Sequence, residues 1–191
     1  MSILILLLTL ALWGLVHSIL ASNFAKDMIG NASFYRLGYN IFAAVSFLPI
    51  LVLMRTLPDQ PVYQVPAPWS MVMLGGQILA ALMLLTAFLQ TDSLSFVGLR
   101  QLFEKEKSGQ LVTRGLYRIV RHPLYTFGLL FIWLTSTGTQ NSLTVYIGAT
   151  IYTLVGTHFE ERKLLREFGE AYAEYKRKTP MLIPGLGLRK E

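Results

Sequence analysis

Arg121-His122-Pro123-Leu124-Tyr125 brings a guanidinium, an imidazole and a phenol together where a charge-free stretch, 122–159, begins. His158-Phe159-Glu160-Glu161-Arg162 closes that stretch with an imidazole, two carboxylates and a second guanidinium. Ionisable groups beside hydrocarbon are costly, so each needs a partner or a job. If a helix starts at Pro123, its N–H groups and positive dipole end stand next to Arg121 and His122, which suits a small carboxylate. A snorkelling Arg and an interfacial Tyr would use the same residues structurally. Glu160 and Glu161 can accept hydrogen bonds from ribose hydroxyls or an amino group, or Glu160 can pair with Lys163 at i+3. His17, deep in an apolar run and followed by Ser18, is a functional candidate; interhelical hydrogen bonding, as for Asn40 and Gln77, is the structural alternative. His158 is open to the same two readings. Arg114, Arg118 and Arg121 are spaced to touch anionic lipid as well.

The elements that must position these groups are membrane helices. The 191 residues are 53% apolar and 15% charged, with a mean hydropathy of +0.47; a soluble domain carries about 25% charged residues. Asp, Glu, Lys and Arg are missing from 1–25, 37–54, 60–91 and 122–159. A crossing needs roughly 20 apolar residues, so the first three stretches hold one helix each and the last can hold two. This predicts five spans, near 2–21, 37–55, 69–90, 123–138 and 141–159. The first lacks the basic start of a signal peptide and is read as a retained helix. With five spans, sixteen of the seventeen Lys and Arg fall on one side and only Arg55 on the other. The positive-inside rule then puts the N-terminus outside and the C-terminus in the cytoplasm of a cell membrane. It also explains the net charge of +6 without nucleic acid. No cysteine is present, which excludes disulfides, thiolate metal sites and a Cys nucleophile. No metal site is expected.

No linker or repeat divides the chain, so 1–191 reads as one membrane domain: three spans in 1–90, then a loop, a helical hairpin and a C-terminal helix in 91–191. Ser33 is a candidate cap for the second span. Four prolines in 58–68 rule out a helix interior there. Gly75-Gly76 suits close helix packing. The long connection 91–122 contains a Ser108-Gly109 turn. Pro123 suits the first turn of a helix, and 136–141 reads as a tight outer turn. Leu164, Leu165, Phe168, Ala171, Tyr172 and Tyr175 follow helical spacing between charges, which predicts an amphipathic helix ending before Pro180. Gly185-Leu186-Gly187 is a loop rather than a dinucleotide fingerprint, since no strand precedes it. The fold class is therefore an all-α integral membrane protein with about five spans and a C-terminal amphipathic cytoplasmic helix.

Leu111-Val112-Thr113-Arg114-Gly115-Leu116-Tyr117 followed by Val120-Arg121-His122-Pro123-Leu124-Tyr125 resembles the integral-membrane methyltransferases that include isoprenylcysteine carboxyl and phospholipid N-methyltransferases. Glu160-Glu161, then Phe168-Gly169-Glu170, Tyr172 and Tyr175, resembles the same family. Within it, His17-Ser18, Ala21-Ser22, Lys26, Tyr35-Arg36, Tyr39-Asn40 and Pro180-Met181-Leu182-Ile183-Pro184 are similar to the bacterial methanethiol S-methyltransferase and NnrU-like branch. The resemblance implies S-adenosyl-L-methionine as cofactor, in a cytoplasm-facing pocket under the last two spans. It implies that His122 and Tyr125 meet the methionine carboxylate with Arg121 nearby. The backbone around Leu111, Val112 and Gly115 would hold adenine, Tyr117 would also contact the cofactor, and Glu160, with Glu161 beside it, would meet the ribose or amino group.

Two departures from the family pattern stand out, the first in the loop and the second bearing on the acceptor. The family often has Gly-Pro-Tyr where Gly115-Leu116-Tyr117 stands here. Its eukaryotic carboxyl methyltransferases carry an Arg before the acidic pair, where this chain has Gly156-Thr157-His158. The partners expected are the bilayer and a small or lipophilic acceptor, with a thiol preferred over a prenylcysteine carboxylate. His17 or His158 would take the thiol proton as catalytic bases. Rival readings are an NADPH-dependent membrane reductase, although Leu124 and Gly128 stand where those enzymes tend to have Asn and Glu, and a non-enzymatic NnrU-like accessory protein.

Overall fold

The computed structural model describes residues 1–29, 33–103 and 110–186. The Ser108-Gly109 turn and Gly187 lie outside the described residues. The chain is predominantly helical and divides into two compact units. One unit comprises Met1–Tyr63, Asp92–Ser108 and Thr137–Gly148; the other comprises Gln64–Thr91, Gly109–Ser136 and Ala149–Glu191.

In the first unit, α1 (Ser2–Leu20) packs on α3 (Tyr35–Thr56), with the short α2 (Asn23–Ile29) between them in sequence. Leu6, Ile50 and Val145 are buried at its core, with Leu10, Trp13 and Phe47 against them. Much of the remaining apolar surface is open: Leu8, Leu12, Leu15, Leu48 and Val52 are all exposed. An apolar exterior of that extent would be a liability in water and is what a bilayer requires. Among the described residues, three helices are long and apolar enough to cross a membrane: α1, α3 and, in the second unit, α4 (Trp69–Gln90).

The expected Ser33 cap is not made. Phe34 occupies the cap position without a side-chain bond, and the start of α3 is held from its own first turns instead. Tyr35 donates to the Leu20 carbonyl at 2.6 Å, and Arg36 Nη1 donates to the Ser95 carbonyl at 3.1 Å. Asn40 Nδ2 donates to the Phe96 and Val97 carbonyls at 3.0 and 2.9 Å. These last three carbonyls belong to α5 (Ser93–Val97), a five-residue helix capped by Asp92. Helix C-termini leave carbonyls without partners, and Tyr35, Arg36 and Asn40 supply donors to two such ends.

The expected outer loop and outer turn form a small sheet. β1 (Pro61–Gln64) pairs with β2 (Thr137–Thr139). The Tyr63 ring lies where a Cβ on Gly138 would sit, so the turn closes only around glycine. Asn141 is 1% exposed and donates to the Leu57 and Pro58 carbonyls at 3.2 and 3.4 Å.

In the second unit, α4 packs along α6 (Pro123–Trp133). Gly76 lets Leu134 approach to within 2.9 Å of where a Cβ would stand, while Gln77 donates to the Phe131 carbonyl at 2.9 Å. Two boundaries differ from the sequence reading. The helix expected over 123–138 stops at Trp133 after 11 residues, because 137–139 are taken by the sheet. The helices expected at 141–159 and beyond 160 are instead a continuous α7 (Gln140–Phe168) of 29 residues, followed by α8 (Glu170–Lys178). The break falls at Gly169, φ 56, a left-handed position that glycine adopts without penalty. On α8, Tyr172 and Tyr175 are buried while Ala171 is exposed, so the apolar stripe is narrower than its spacing suggests.

Candidate functional site

The second unit brings five of the predicted side chains, Arg121, His122, Tyr125, Glu160 and Glu161, together at the start of α6. Pro123 sits at the first turn of the helix and His122 is its cap residue. The connection after α8 runs across this start. Arg121 N donates to the Pro180 carbonyl at 2.9 Å, and His122 N to the Met181 carbonyl at 3.2 Å. Thr126 Oγ1 donates to the Leu182 carbonyl at 2.8 Å. The 179–182 segment is thereby bound to the first turn of α6.

Beneath it lies a buried ionic cluster. Arg121, His122, Glu161 and Thr179 are 8%, 6%, 5% and 5% exposed. Arg121 Nε and Nη2 both reach Glu161 Oε1, at 2.7 and 2.6 Å. Its Nη1 donates to the Lys176 carbonyl at 3.1 Å and to the Thr179 carbonyl. Lys176 Nζ lies 2.6 Å from Glu161 Oε2, and His122 Nε2 lies 3.4 Å from Glu161 Oε1. Burial alone would raise the Glu161 carboxyl. Its bonds to His122, Lys176 and Arg121 outweigh burial and hold it down at about 2. A carboxylate carrying so many charge-assisted bonds stays ionised.

Glu160 faces differently. Its side chain is 42% exposed, with Oε2 3.8 Å from His122 Nδ1. Tyr125 donates to that same oxygen at 2.9 Å, rather than Lys163 pairing with it. The His122 and Tyr125 rings stack 5.6 Å apart, inclined by 16°. An aromatic pair and an exposed carboxylate therefore share one edge of the cluster.

The loop residues reach this unit by way of α4. Gly115 opens a short 3-10 turn, Gly115–Arg118, at φ +62. Gln90, the last residue of α4, accepts from Leu116 N at 2.8 Å and fills the space where a Gly115 Cβ would project. Leu111 and Val112 are half-buried in the irregular chain before this turn. The Tyr117 carbonyl accepts from the Tyr175 hydroxyl. The Tyr117 hydroxyl itself is pushed up to about 12 by burial and by the charge of Glu160. Arg114 and Arg118 are exposed.

His158 is exposed on α7, its ring edge-on to Phe159 at 5.8 Å. His17 belongs to the first unit, where Tyr39 lies 2.6 Å from its Nε2 and the Trp13 ring stacks 4.8 Å away. Sequence reasoning did not single out Gln90, Lys176 or Thr179. Gln90 stands one residue before the end of a charge-free run, and an amide at that place is the one signal that could have drawn attention to it. Nothing local marks Thr179 or Lys176; both act through bonds to residues more than a dozen positions away.

Residues 71–171 match the family model described as phospholipid methyltransferase. The chain belongs to this family. It is 34% identical over 197 residues to Methanethiol S-methyltransferase 2 of Bradyrhizobium diazoefficiens, covering 99% of this chain and 76% of that protein. It is 31% identical over 192 residues to the Methanethiol S-methyltransferase of Mycobacterium tuberculosis, covering 93% and 76%. Protein-S-isoprenylcysteine O-methyltransferase of Schizosaccharomyces pombe is 36% identical over 88 residues, covering 42% of this chain and 36% of that protein. No solved structure matches the chain. The protein is thus a membrane methyltransferase, as the residues around 111–125 and 160–175 led us to expect.

Proposed function

We propose that the protein methylates a small thiol of the methanethiol kind, with S-adenosylmethionine as donor, at the α6 start and the Glu160 edge. The observation that carries this reading is the convergence of His122, Tyr125 and Glu160: Tyr125 donates to Glu160 Oε2 at 2.9 Å, and His122 Nδ1 stands 3.8 Å from the same oxygen. The residues fit the group. An α-ammonium and ribose hydroxyls need acceptors, and of the two adjacent carboxylates Glu160 is the one with 42% of its side chain exposed. A carboxylate needs donors, and the first turn of α6 offers a helix N-terminus. Leu111, Val112, Gly115 and Tyr117 would line the adenine. Arg121 and Glu161, turned toward one another, would back the site.

When bound, S-adenosylmethionine supplies an electrophilic methyl group. This chain's residues have to align donor and acceptor and exclude water, which can be worth roughly 7–11 kcal/mol. A thiol, pKa about 8.5, needs little base; His158, two residues before Glu160, would take its proton. The last two crossings would begin from α6 and α7, with the N-terminus outside the cell membrane and the C-terminus in the cytoplasm. The sixteen-to-one division of Lys and Arg supports that orientation.

Alignment length favours the thiol over a prenylcysteine carboxylate or a phospholipid amine. The relatives named for methanethiol align with 93% and 99% of this chain, the isoprenylcysteine enzyme with 42%. Two measurements test the proposal. Calorimetry should show S-adenosylmethionine affinity falling by about tenfold or more in His122→Ala and in Glu160→Ala; unchanged affinity in both removes the site. Mass spectrometry after incubation with the deuterated-methyl donor should show label on methanethiol; label on lipid or prenylcysteine alone removes the acceptor.

A further inference from the structure

Glu160 and Glu161 are neighbours in sequence with opposite surroundings. Glu160 is turned to the open edge, and Glu161 is sealed at 5% exposure with its oxygens committed to Arg121, Lys176 and His122. We infer that Glu161 is a positioning residue rather than a ligand contact: its carboxylate holds His122 as the Nε2–H tautomer and ties the 179–182 segment to α6, so that the Nδ1 edge of the imidazole is presented beside Glu160. This rests on the proposed site at His122 and Glu160.

Hydrogen-bond capacity decides the tautomer. A neutral imidazole has one N–H and one acceptor nitrogen, and the partner of one nitrogen decides the state of the other. Glu161 is an acceptor only, since it is held ionised by Arg121 and Lys176, 2.6 Å away on either oxygen. His122 Nε2, 3.4 Å from Glu161 Oε1, is therefore the nitrogen that carries the proton. In the neutral ring Nδ1 is left as an acceptor 3.8 Å from Glu160 Oε2, and Tyr125 already donates to that oxygen. Two acceptors facing one place call for a donor between them, as an ammonium or a pair of hydroxyls would provide. The backbone fixes the ring from behind: His122 N is bonded to the Met181 carbonyl, and Arg121 Nη1 bridges the Lys176 and Thr179 carbonyls. One carboxylate thus holds the His122 ring directly and the Thr179 carbonyl through Arg121. The adjacent glutamate needs none of these bonds, which is why two acidic residues stand in sequence and only one is exposed.

The test is nitrogen NMR on 15N-histidine-labelled protein. The chain has three histidines, and His122→Gln assigns the signal. The wild type should show His122 as the Nε2–H tautomer without any ligand; an Nδ1–H tautomer overturns the inference. Glu161→Gln should mix the tautomers and weaken S-adenosylmethionine binding about tenfold, the loss of one charge-assisted hydrogen bond, whereas Glu160→Gln should weaken binding with the tautomer unchanged. A Glu161→Gln protein that keeps both tautomer and affinity also overturns it. If that variant fails to fold, the wild-type tautomer decides. Because the tautomer is read without ligand, failure of the cofactor to bind the wild type would remove the proposed function and leave this result standing.

Discussion

Gly115→Ala measures how tightly the loop before α6 is locked to α4. At φ +62 an alanine sits in the left-handed region, which costs roughly 1–2 kcal/mol. Its Cβ would also occupy the space of the Gln90 amide, so Gln90 must swing away and release Leu116 N, now held at 2.8 Å. That bond is worth about 1 kcal/mol. Alanine stiffens the unfolded chain and returns about 0.4–1 kcal/mol. The net loss is about 2 kcal/mol, to be read from reversible denaturation in detergent by titration with SDS. Gln90→Ala alone should cost about 1 kcal/mol for the same released N–H. Gly115→Ala has already broken that bond, so the double variant should be little worse than Gly115→Ala, a coupling of about 1 kcal/mol. Strict additivity would refute the reasoning, as would a Gly115→Ala protein as stable as the parent.

Three further outcomes are expected. Glu161 is held at about 2 when folded against 4.5 in its ordinary state, so its contribution is present above pH 4.5 and lost as pH falls toward 2. Up to about 3 kcal/mol should disappear over that window, seen as a drop in midpoint that Glu161→Gln lacks. Gly138→Ala should cost about 1–3 kcal/mol by forcing the Tyr63 ring aside, and Tyr63→Ala should recover much of the loss in the same denaturation assay. Asn40→Leu should lower the melting temperature by stranding the Phe96 and Val97 carbonyls, about 1–3 kcal/mol for groups left without a donor, and should leave S-adenosylmethionine affinity, measured by calorimetry, unchanged.

Three of the long helices were legible in the chain because a crossing is a one-dimensional signal: an uninterrupted apolar run announces itself whatever it packs against. The runs ending at Leu20 and Thr56 differ from their expected limits by a residue or two, and the one ending at Gln90 coincides with them. Pro123 marked a helix start for an equally local reason, its lost N–H. The strand that connects it to α7 was not legible. Ser136–Asn141 carries turn residues, but whether they form a turn or a strand depends on β1, more than seventy positions earlier. Nor could composition show that α7 would run through Glu160 to Phe168 and break at Gly169, since a charged surface turn and a charged helix interior read alike.

The same division holds at the site. Residue types alone singled out 121–125 and 160–161, because ionisable groups next to apolar runs are too costly to be idle, and they led to the family that the comparisons show. Which carboxylate faces the open edge and which is sealed was decided only by folding. Glu160 and Glu161 are chemically identical, and their difference comes from a helical rotation of about 100° per residue that turns one toward Tyr125 and the other toward Arg121 and Lys176. Sequence can name the groups; the sharing of one oxygen between distant partners is a property of three dimensions.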